Sequence, residues 1–539
     1  MIERDTADQR RPFRPEPPSA EVFALPRFRE FTDLGNAHRL IDRHGVNLRC
    51  VPALHRWYTW DGRRWAQDDT GEVHRRAQLI VEEALRDEYV HLVKTKGVER
   101  AITKAMAKHL KASGSSRAIA AMVREAEVLE GVAIRHDELD RDGWLLNVNN
   151  GTLDLRTGTL REHRQVDLVT RLVKVDYNPT AECPRWEAFV AWAMCDDVEL
   201  IRYVRQLFGY SLTGDVTEQI LPFCHGAGEN GKSTMLGVFQ ELLGLDDDGY
   251  ALQAAPRLLL TSRNSEHPTN IADLAGRRFV VSQEAEKHAR LDEALVKQLT
   301  GGDPVKGRKM REDFFTFRPT FKLWLAANAK PKIQGTDHAI WRRMRLIPFA
   351  ATVTHRDNHL ADKLRAELEG ILAWAVTGCA DWQANGLTTP NAVTTATNAY
   401  RANEDHVGRF ITDRCDTGTN EFCTNKLLRE AYITWCTEQG EPPLTLQELA
   451  AELLERGHQR GRVGRARDRG WHGIGLADPN ALPLDDDKCP RETQNPRSPD
   501  SADTADTNPY STHDAHAQGN EPERPSALSA SIFDDDEVF

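Results

Sequence analysis

The sequence predicts an α/β protein with a parallel sheet at its centre, and three observations carry that prediction. A Gly-rich segment, Gly226-Ala227-Gly228-Glu229-Asn230-Gly231-Lys232-Ser233, has the spacing GxxxxGK[ST] and lies between a strand-like and a helix-like run. From about Trp186 to Phe349, strand-like and helix-like segments alternate, which is the pattern of strands joined by helical crossovers. On either side, residues 31–185 and 404–477 mix short strands and helices in the manner of smaller units.

The chain has 539 residues and a formal net charge of −12. As a total, that charge argues against a nucleic-acid partner, because phosphate binding is driven by Lys and Arg. The charge is uneven, however. Residues 478–539 hold 15 acids and 4 bases, a net −11, and the other 477 residues carry only −1. The body is therefore free to carry local basic patches. Length suggests roughly three to four domains. No stretch approaches the ~18 apolar residues of a membrane span. The first 30 residues are charged and Pro-rich, unlike a secretory signal. Nine scattered Cys with no CxxC pair fit a reducing compartment and argue against a disulfide scaffold or zinc ribbon. The expected location is the cytoplasm.

Taken in order, residues 1–30 are expected to be disordered. Residues 31–185 read as an α+β domain. His55–Trp65 predicts a hairpin around Asp61-Gly62, with Trp57, Trp60 and Trp65 as core rather than base-stacking residues. Helical stretches follow at 76–93 and 116–129. Trp144–Leu160 predicts further short strands, with turns at Asn150-Gly151 and Thr157-Gly158. In residues 186–403, strands are expected at 220–225, 278–283, 321–327 and 346–349, and a helix at 232–243 ending on Gly244. Cys224 falls inside the first of these strands. Pro222 is awkward there, since proline cannot donate to a ladder. Residues 350–403 read as helical. In 404–477, helices are expected at 427–439 and 446–456. Residues 456–472 then carry six Arg interleaved with Gly, which reads as a basic hairpin. Residues 478–539 are rich in Pro, Asp, Ser, Thr and Asn and are expected to be disordered.

The Gly-rich loop suits a nucleoside triphosphate. Its glycines let backbone N–H groups curl around phosphate oxygens, and the following helix N-terminus adds positive potential. Gly226 to Thr234 would form this cradle. Lys232 would reach the β- and γ-phosphates, and the Ser233 hydroxyl would ligate Mg²⁺. Glu284 ends a strand, with Glu286 two residues on; a carboxylate there can hold the Mg²⁺ water shell and orient water. Asn328 ends the next apolar strand and could sense the γ-phosphate. Arg342 and Arg343 lie beyond the strands, where an arginine finger for a neighbouring site would be.

These segments together resemble the phage/plasmid primase–helicase family of superfamily three helicases, related to the poxvirus nucleoside triphosphatase. The carriers are HGAGENGKST, LAGRRFVVSQEAE, LVKQLTGGDPVKGRK, FRPTFKLWLAANAKP and HAIWRRMRLIPF, in family order. WYTWDGRRW, NGTLDLRTG and DLVTRLVKVDYNP are similar to the family's amino-terminal helicase-associated domain. The resemblance implies an AAA+-like core, a homo-oligomeric ring, expected to be a hexamer, and ATP·Mg²⁺ sites between subunits. It implies catalytic roles for Lys232, Glu284 (with Glu286), Asn328 and Arg343 or Arg342, and Mg²⁺ ligation by Ser233 and Glu284. It places a DNA-contacting hairpin at 303–315, where Lys306, Arg308, Lys309 and Arg311 put four positive charges in six residues. It also implies that 404–477 is a winged-helix DNA-binding domain. Longer family members carry a polymerising domain upstream; no hydrophobic–Asp–x–Asp strand is found here, so priming is expected from a separate primase.

The last residues, Phe533-Asp534-Asp535-Asp536-Glu537-Val538-Phe539, resemble the terminal peptide of bacterial single-stranded-DNA-binding proteins. Phe533, Asp534, Asp535, Asp536 and Phe539 match that peptide, which implies docking to host proteins that read it; a generic solubilising tail is the alternative. The reading as a whole is an ATP-dependent replicative helicase of a bacteriophage or mobile element. It would act on single-stranded and forked DNA, 3′ to 5′ by resemblance. One alternative is an initiator ATPase that assembles on DNA with little unwinding; another is a small-molecule P-loop kinase.

Overall fold

The computed structural model describes residues 29–477 except 256, 262–267, 285–288, 310–312, 334–337 and 354–355. The first elements obey local rules. Helix α1 (Asp33–His44) starts on Thr32, whose side chain accepts from the Gly35 N–H. Strands β1 (Leu48–Val51), β2 (Arg56–Trp60) and β3 (Trp65–Gln67) form an antiparallel sheet in sequence order, with Asp61-Gly62 in the second connection. Trp65 is fully buried under the Arg49 guanidinium, while Trp57 and Trp60 are half-buried beside the core. Helices α2 (Glu72–Leu79) and α3 (Leu85–Lys94) are joined by a five-residue π segment, and α4 (Arg100–Ser113) and α5 (Ser116–Ala126) follow. Their apolar faces meet at Leu40, Ala77, Ile80, Met106 and Met122.

A second antiparallel sheet holds β4 (Leu145–Val148), β5 (Gly151–Asp154) and β6 (Thr159–Arg161). Its first turn is one residue earlier than the sequence suggests. Val148 pairs with Gly151, so Asn149-Asn150 make the turn. Gly151 is a glycine for another reason: a Cβ there would lie 2.5 Å from the Arg161 carbonyl oxygen.

The chain continues through α6 (Pro184–Ala193) and α7 (Val198–Ser211) into the central sheet. That sheet is built from β7 (Leu221–His225), α8 (Lys232–Leu243), β8 (Ala251–Gln253), α9 (Pro268–Ala272), β9 (Phe279–Glu284), α10 (Glu293–Thr300), a small hairpin of β10 (Val305–Gly307) and β11 (Phe315–Phe317), β12 (Lys322–Ala327), α11 (His338–Trp341) and β13 (Met344–Pro348). The five long-range strands run parallel in the order β13-β7-β12-β9-β8. The predicted parallel sheet is therefore present. The strand ending at His225 is central, yet it contains Pro222. Pairing of β7 with β12 begins only at Phe223, so the missing proline N–H interrupts no ladder bond on that side.

Helices α12 (Leu360–Arg365), α13 (Leu368–Asn385) and α14 (Asn391–Glu404) cover the sheet. One core joins Leu146, Leu153 and Val173 of the preceding region to Phe208, Phe239, Trp324 and Trp374. Apolar packing is thus continuous across residues 185 and 186, where the sequence suggested a domain boundary. Arg278 reinforces the junction: its guanidinium, buried over the Tyr250 ring, donates to the Leu145 and Leu212 carbonyls at 2.6 Å each.

The last unit runs helix, strand, helix, helix, strand, strand: α15 (His406–Arg414), β14 (Cys415–Thr424), α16 (Asn425–Gln439), α17 (Leu446–Glu455), β15 (Gln459–Val463) and β16 (Asp468–Leu476). The strands pair in the order β14-β16-β15. Of the six arginines, Arg456 leaves the hairpin and pairs with Asp405 and Glu452; the others lie on β15, β16 or the Gly464–Arg467 turn. Residues 478–539, including the Phe533–Phe539 peptide, lie outside the described residues.

Candidate functional site

The Gly-rich loop proposed to hold phosphate follows β7 and opens α8. Each glycine has a local cause. A Cβ on Gly226 would lie 2.1 Å from Asn230 Nδ2 and 2.3 Å from the Phe349 carbonyl. Gly228 and Gly231 have φ of 114° and 85°, which side chains rarely adopt. Gly231 is also the N-cap of α8 and supplies no side-chain acceptor, so the first-turn N–H groups have no side-chain cap. Helix α8 is held from behind by Met235, Leu236, Phe239, Leu242 and Leu243, all buried, and ends on Gly244 as expected.

Lys232 is only 5 % exposed. Its Nζ donates to the Gly226 carbonyl at 2.8 Å and to Asn230 Oδ1 at 2.9 Å. Burial lowers its pKa. Asn230 in turn donates to the Phe349 carbonyl at 2.9 Å, tying the loop to the end of β13. Ser233 is exposed at the mouth and Thr234 is half-buried behind it. Ala227 and Glu229 are exposed at the rim. The donor set fits a polyphosphate: uncapped N–H groups, glycines that admit close approach, and a buried ammonium whose present partners are two neutral oxygens.

Strand register brings the other candidates to this loop. His225, Ala327 and Glu284 are level across β7, β12 and β9. The strands' carboxyl ends therefore place Gly226, Asn328 and Glu284 side by side, the position where open parallel sheets bind ligands. Asn328 is exposed, and its amide nitrogen is 4.0 Å from where a Gly228 Cβ would be. The backbone of Glu284 closes β9; its side chain and the whole of Glu286 lie outside the described residues.

The two arginines separate. Arg343 is 7 % exposed, and its guanidinium donates to Thr300 Oγ1 at 3.0 Å and to the Ala339 carbonyl at 2.7 Å. The Arg343 guanidinium is thus committed to the interior of its own chain. Arg342 is exposed, and its guanidinium donates to Gln219 Oε1 at 3.2 Å. It sits at the amino end of β13, level with the start of β7, about 16 Å of strand away from its own phosphate loop.

The basic hairpin forms as predicted, with Lys306 opposite Thr316. It precedes β12 and so leaves the sheet at the amino edge, opposite the phosphate loop. Lys306 and Arg308 are exposed and Lys309 is half-buried; Arg311 lies outside the described residues. Arg308 lies over the ring of Phe314, which is 59 % exposed.

Sequence reasoning missed three groups. Burial, and then the charges of Lys330 and Lys232, push the His225 imidazole down to about 4. Lys330, whose ammonium lies over Tyr400, is two residues past Asn328, which was its only sequence signal. The Phe349 carbonyl had no signal, because a backbone acceptor is invisible to residue type.

Two family models match this chain. Residues 37–195 match "D5 N terminal like", and residues 224–343 match a family of unknown function, DUF5906. Among curated proteins, "Putative helicase L207/L206" of Acanthamoeba polyphaga mimivirus is 25% identical over 416 residues, covering 70% of this chain and 42% of that protein. "Putative primase C962R" of African swine fever virus (strain Badajoz 1971 Vero-adapted) is 26% identical over 235 residues, 42% of this chain and 24% of that one. The chain spans less than half the length of these curated relatives. The solved apo structure of the NrS-1 C-terminal region covers 82% of this chain and is itself covered in full, at 9% identity and a TM-score of 0.44. These relatives come from viruses of eukaryotes, and neither points to a bacterial host. No helix among the described residues is long and apolar enough to cross a membrane.

Proposed function

We propose that this chain is an ATP-dependent DNA helicase motor of the D5-like primase–helicase kind. The observation that carries the reading is the register of β7, β12 and β9, which sets the phosphate loop, Asn328 and Glu284 side by side at one sheet edge. The names of the viral relatives, a helicase and a primase, support the choice of substrate class.

The loop N–H groups and Lys232 would hold the β- and γ-phosphates, with the ammonium exchanging its Asn230 and Gly226 partners for phosphate oxygens. Ser233 and Glu284 would hold Mg²⁺, whose charge offsets that developing on the phosphates. Asn328 would report the γ-phosphate to β12. Arg342 cannot reach its own loop along β13, so it would complete a neighbour's site in a ring, taken here as a hexamer. Hairpin cations Lys306, Arg308 and Lys309 would grip the DNA backbone, and the arginine-bearing β15–β16 hairpin would meet the fork as the wing of a winged helix. Priming would fall to another polypeptide.

The test is strand displacement on forked and tailed DNA with and without ATP. Displacement that needs ATP and is lost in Lys232→Ala is expected. DNA-independent ATPase with no displacement would point to a small-molecule kinase or metabolic ATPase instead. A second reading is favoured by the α15–β16 unit, whose helices and arginine-bearing hairpin suit duplex binding: an initiator that assembles on DNA with ATP. It predicts preference for one DNA sequence and little turnover.

A further inference from the structure

Helix α4 is unusual for a surface helix. Its sequence, RAITKAMAKHLKAS, contains no acid in 14 residues. Surface helices commonly interleave both signs, because i,i+4 pairs of opposite charge stabilise them. Here Arg100, Lys104, Lys108 and Lys111 follow one another at spacings of four, four and three, which places them in one row. All four are exposed. The opposite face, carrying Met106 and Ser113, is buried against the domain core. Among the described residues, none of the four side chains has an ion pair or a hydrogen bond. The preceding loop adds Lys94 and Lys96, both exposed. Five of the chain's 17 lysines thus fall within 18 consecutive residues of a chain that otherwise prefers arginine. Arg100 also sits at the helix N-terminus, where a cation opposes the helix dipole, so the row is not arranged for helix stability.

We infer that this row is a nucleic-acid backbone-binding surface on the amino-terminal domain, separate from the β10–β11 hairpin. At a rise of 1.5 Å per residue the charges lie about 6 Å apart, and the row is about 16 Å long. That length matches about five phosphates of one strand of a duplex, at 3.4 Å each along the axis. Along one side of the cations the exposed face shows Ala101, Ala105 and Ala112, which let a backbone come close but offer nothing to read a base edge. The surface should therefore bind without sequence preference. An anionic membrane is the poorer fit. Interfacial helices need an apolar face to insert, and α4 turns Met106 inward and leaves Ile102 as its one exposed large apolar side chain.

The test is a salt titration of binding to a labelled strand of about 30 nucleotides, single and duplexed, by the full chain without nucleotide. The variant is Lys104→Ala, Lys108→Ala and Lys111→Ala together. Alanine suits an exposed helix interior, so the thermal midpoint should hold within a few degrees. Between about 50 and 200 mM salt, the slope of log affinity against log salt should shrink by about 2–3 units, since each neutralised phosphate contributes about 0.7–0.9. Adding Lys306→Ala should reduce the slope by a further, independent increment. An unchanged slope and affinity in the triple variant would overturn the proposal, whatever the hairpin does. So would wild-type binding to phosphatidylserine vesicles or polyglutamate that exceeds DNA binding and disappears in the variant.

Discussion

Lys232 is buried and bonded to Gly226 and Asn230 beside His225, and this corner of the loop carries two predictions at the residue scale. Lys232→Ala should abolish ATP hydrolysis and strand displacement together while the chain stays folded. Both are read from one preparation by phosphate release and a gel shift of the displaced strand. Hydrolysis near the wild-type rate would remove the loop from the mechanism. The second prediction concerns His225 at the loop's foot. Burial first, then Lys330 and Lys232, hold its pKa at about 4, against about 6.5 in an unfolded chain. Between those values the unfolded chain binds more protons than the folded one. Stability is therefore full above about pH 6.5, falls as pH drops towards 4, and is level below. His225→Gln removes this term, so its thermal midpoint should fall less steeply on acidification. Parallel midpoint curves would show that His225 is solvated.

At the scale of elements, the junction between the amino-terminal region and the central sheet depends on Arg278. Its guanidinium satisfies two buried carbonyls from different segments, and Tyr250 stacks beneath it. Arg278→Met keeps much of the volume and leaves both acceptors unpaired, which should cost about 2–4 kcal/mol. Arg278→Lys should rescue it only in part, because a single ammonium lacks the planar guanidinium that sets one nitrogen on each oxygen while lying over the Tyr250 ring. Denaturant unfolding measures this directly, and a loss under about 0.5 kcal/mol would remove Arg278 as a strut. Long apolar runs with clear ends were legible in the sequence. The strands at β7, β9, β12 and β13 and helix α8 fall within a residue or two of where periodicity placed them, because burial on both faces leaves continuous apolar runs. Three-residue β8 carries no such signal. Whether residues 145–177 pack with what precedes or follows them is decided by contacts far apart in sequence. Arg342 and Arg343 are identical in kind and adjacent; only the turn into β13 sends one outward and the other onto Thr300. The turn before Gly151 was misread because glycine there answers a close approach across strands, not a positive φ.

At the scale of the whole molecule, the groups proposed for nucleotide and for DNA occupy opposite edges of the central sheet. The phosphate loop and Asn328 lie at the carboxyl edge, while Arg342 and the β10–β11 hairpin lie at the amino edge. Along β13, Arg342 is about 16 Å of strand from the Gly-rich loop of its own chain, so the proposed reading has it complete the site of a second chain. That requirement can be tested without knowing ring size. Lys232→Ala and Arg342→Ala should each be inactive alone. Mixed at equal amounts before assembly, they create some interfaces in which an intact loop from the Arg342→Ala chain meets an intact Arg342 from the Lys232→Ala chain. ATPase should then reappear at a substantial fraction of the wild-type rate. Failure to complement, with both variants still co-assembling, would mean that Arg342 acts within its own chain or on DNA. Hairpin variants belong to the same logic. Lys306→Ala with Lys309→Ala should keep basal ATPase, because the strands of the hairpin leave the sheet at the edge opposite the loop, and should lose strand displacement. If it displaced strands normally, the grip on DNA would lie elsewhere, and the lysine row of α4 would be the first surface to examine.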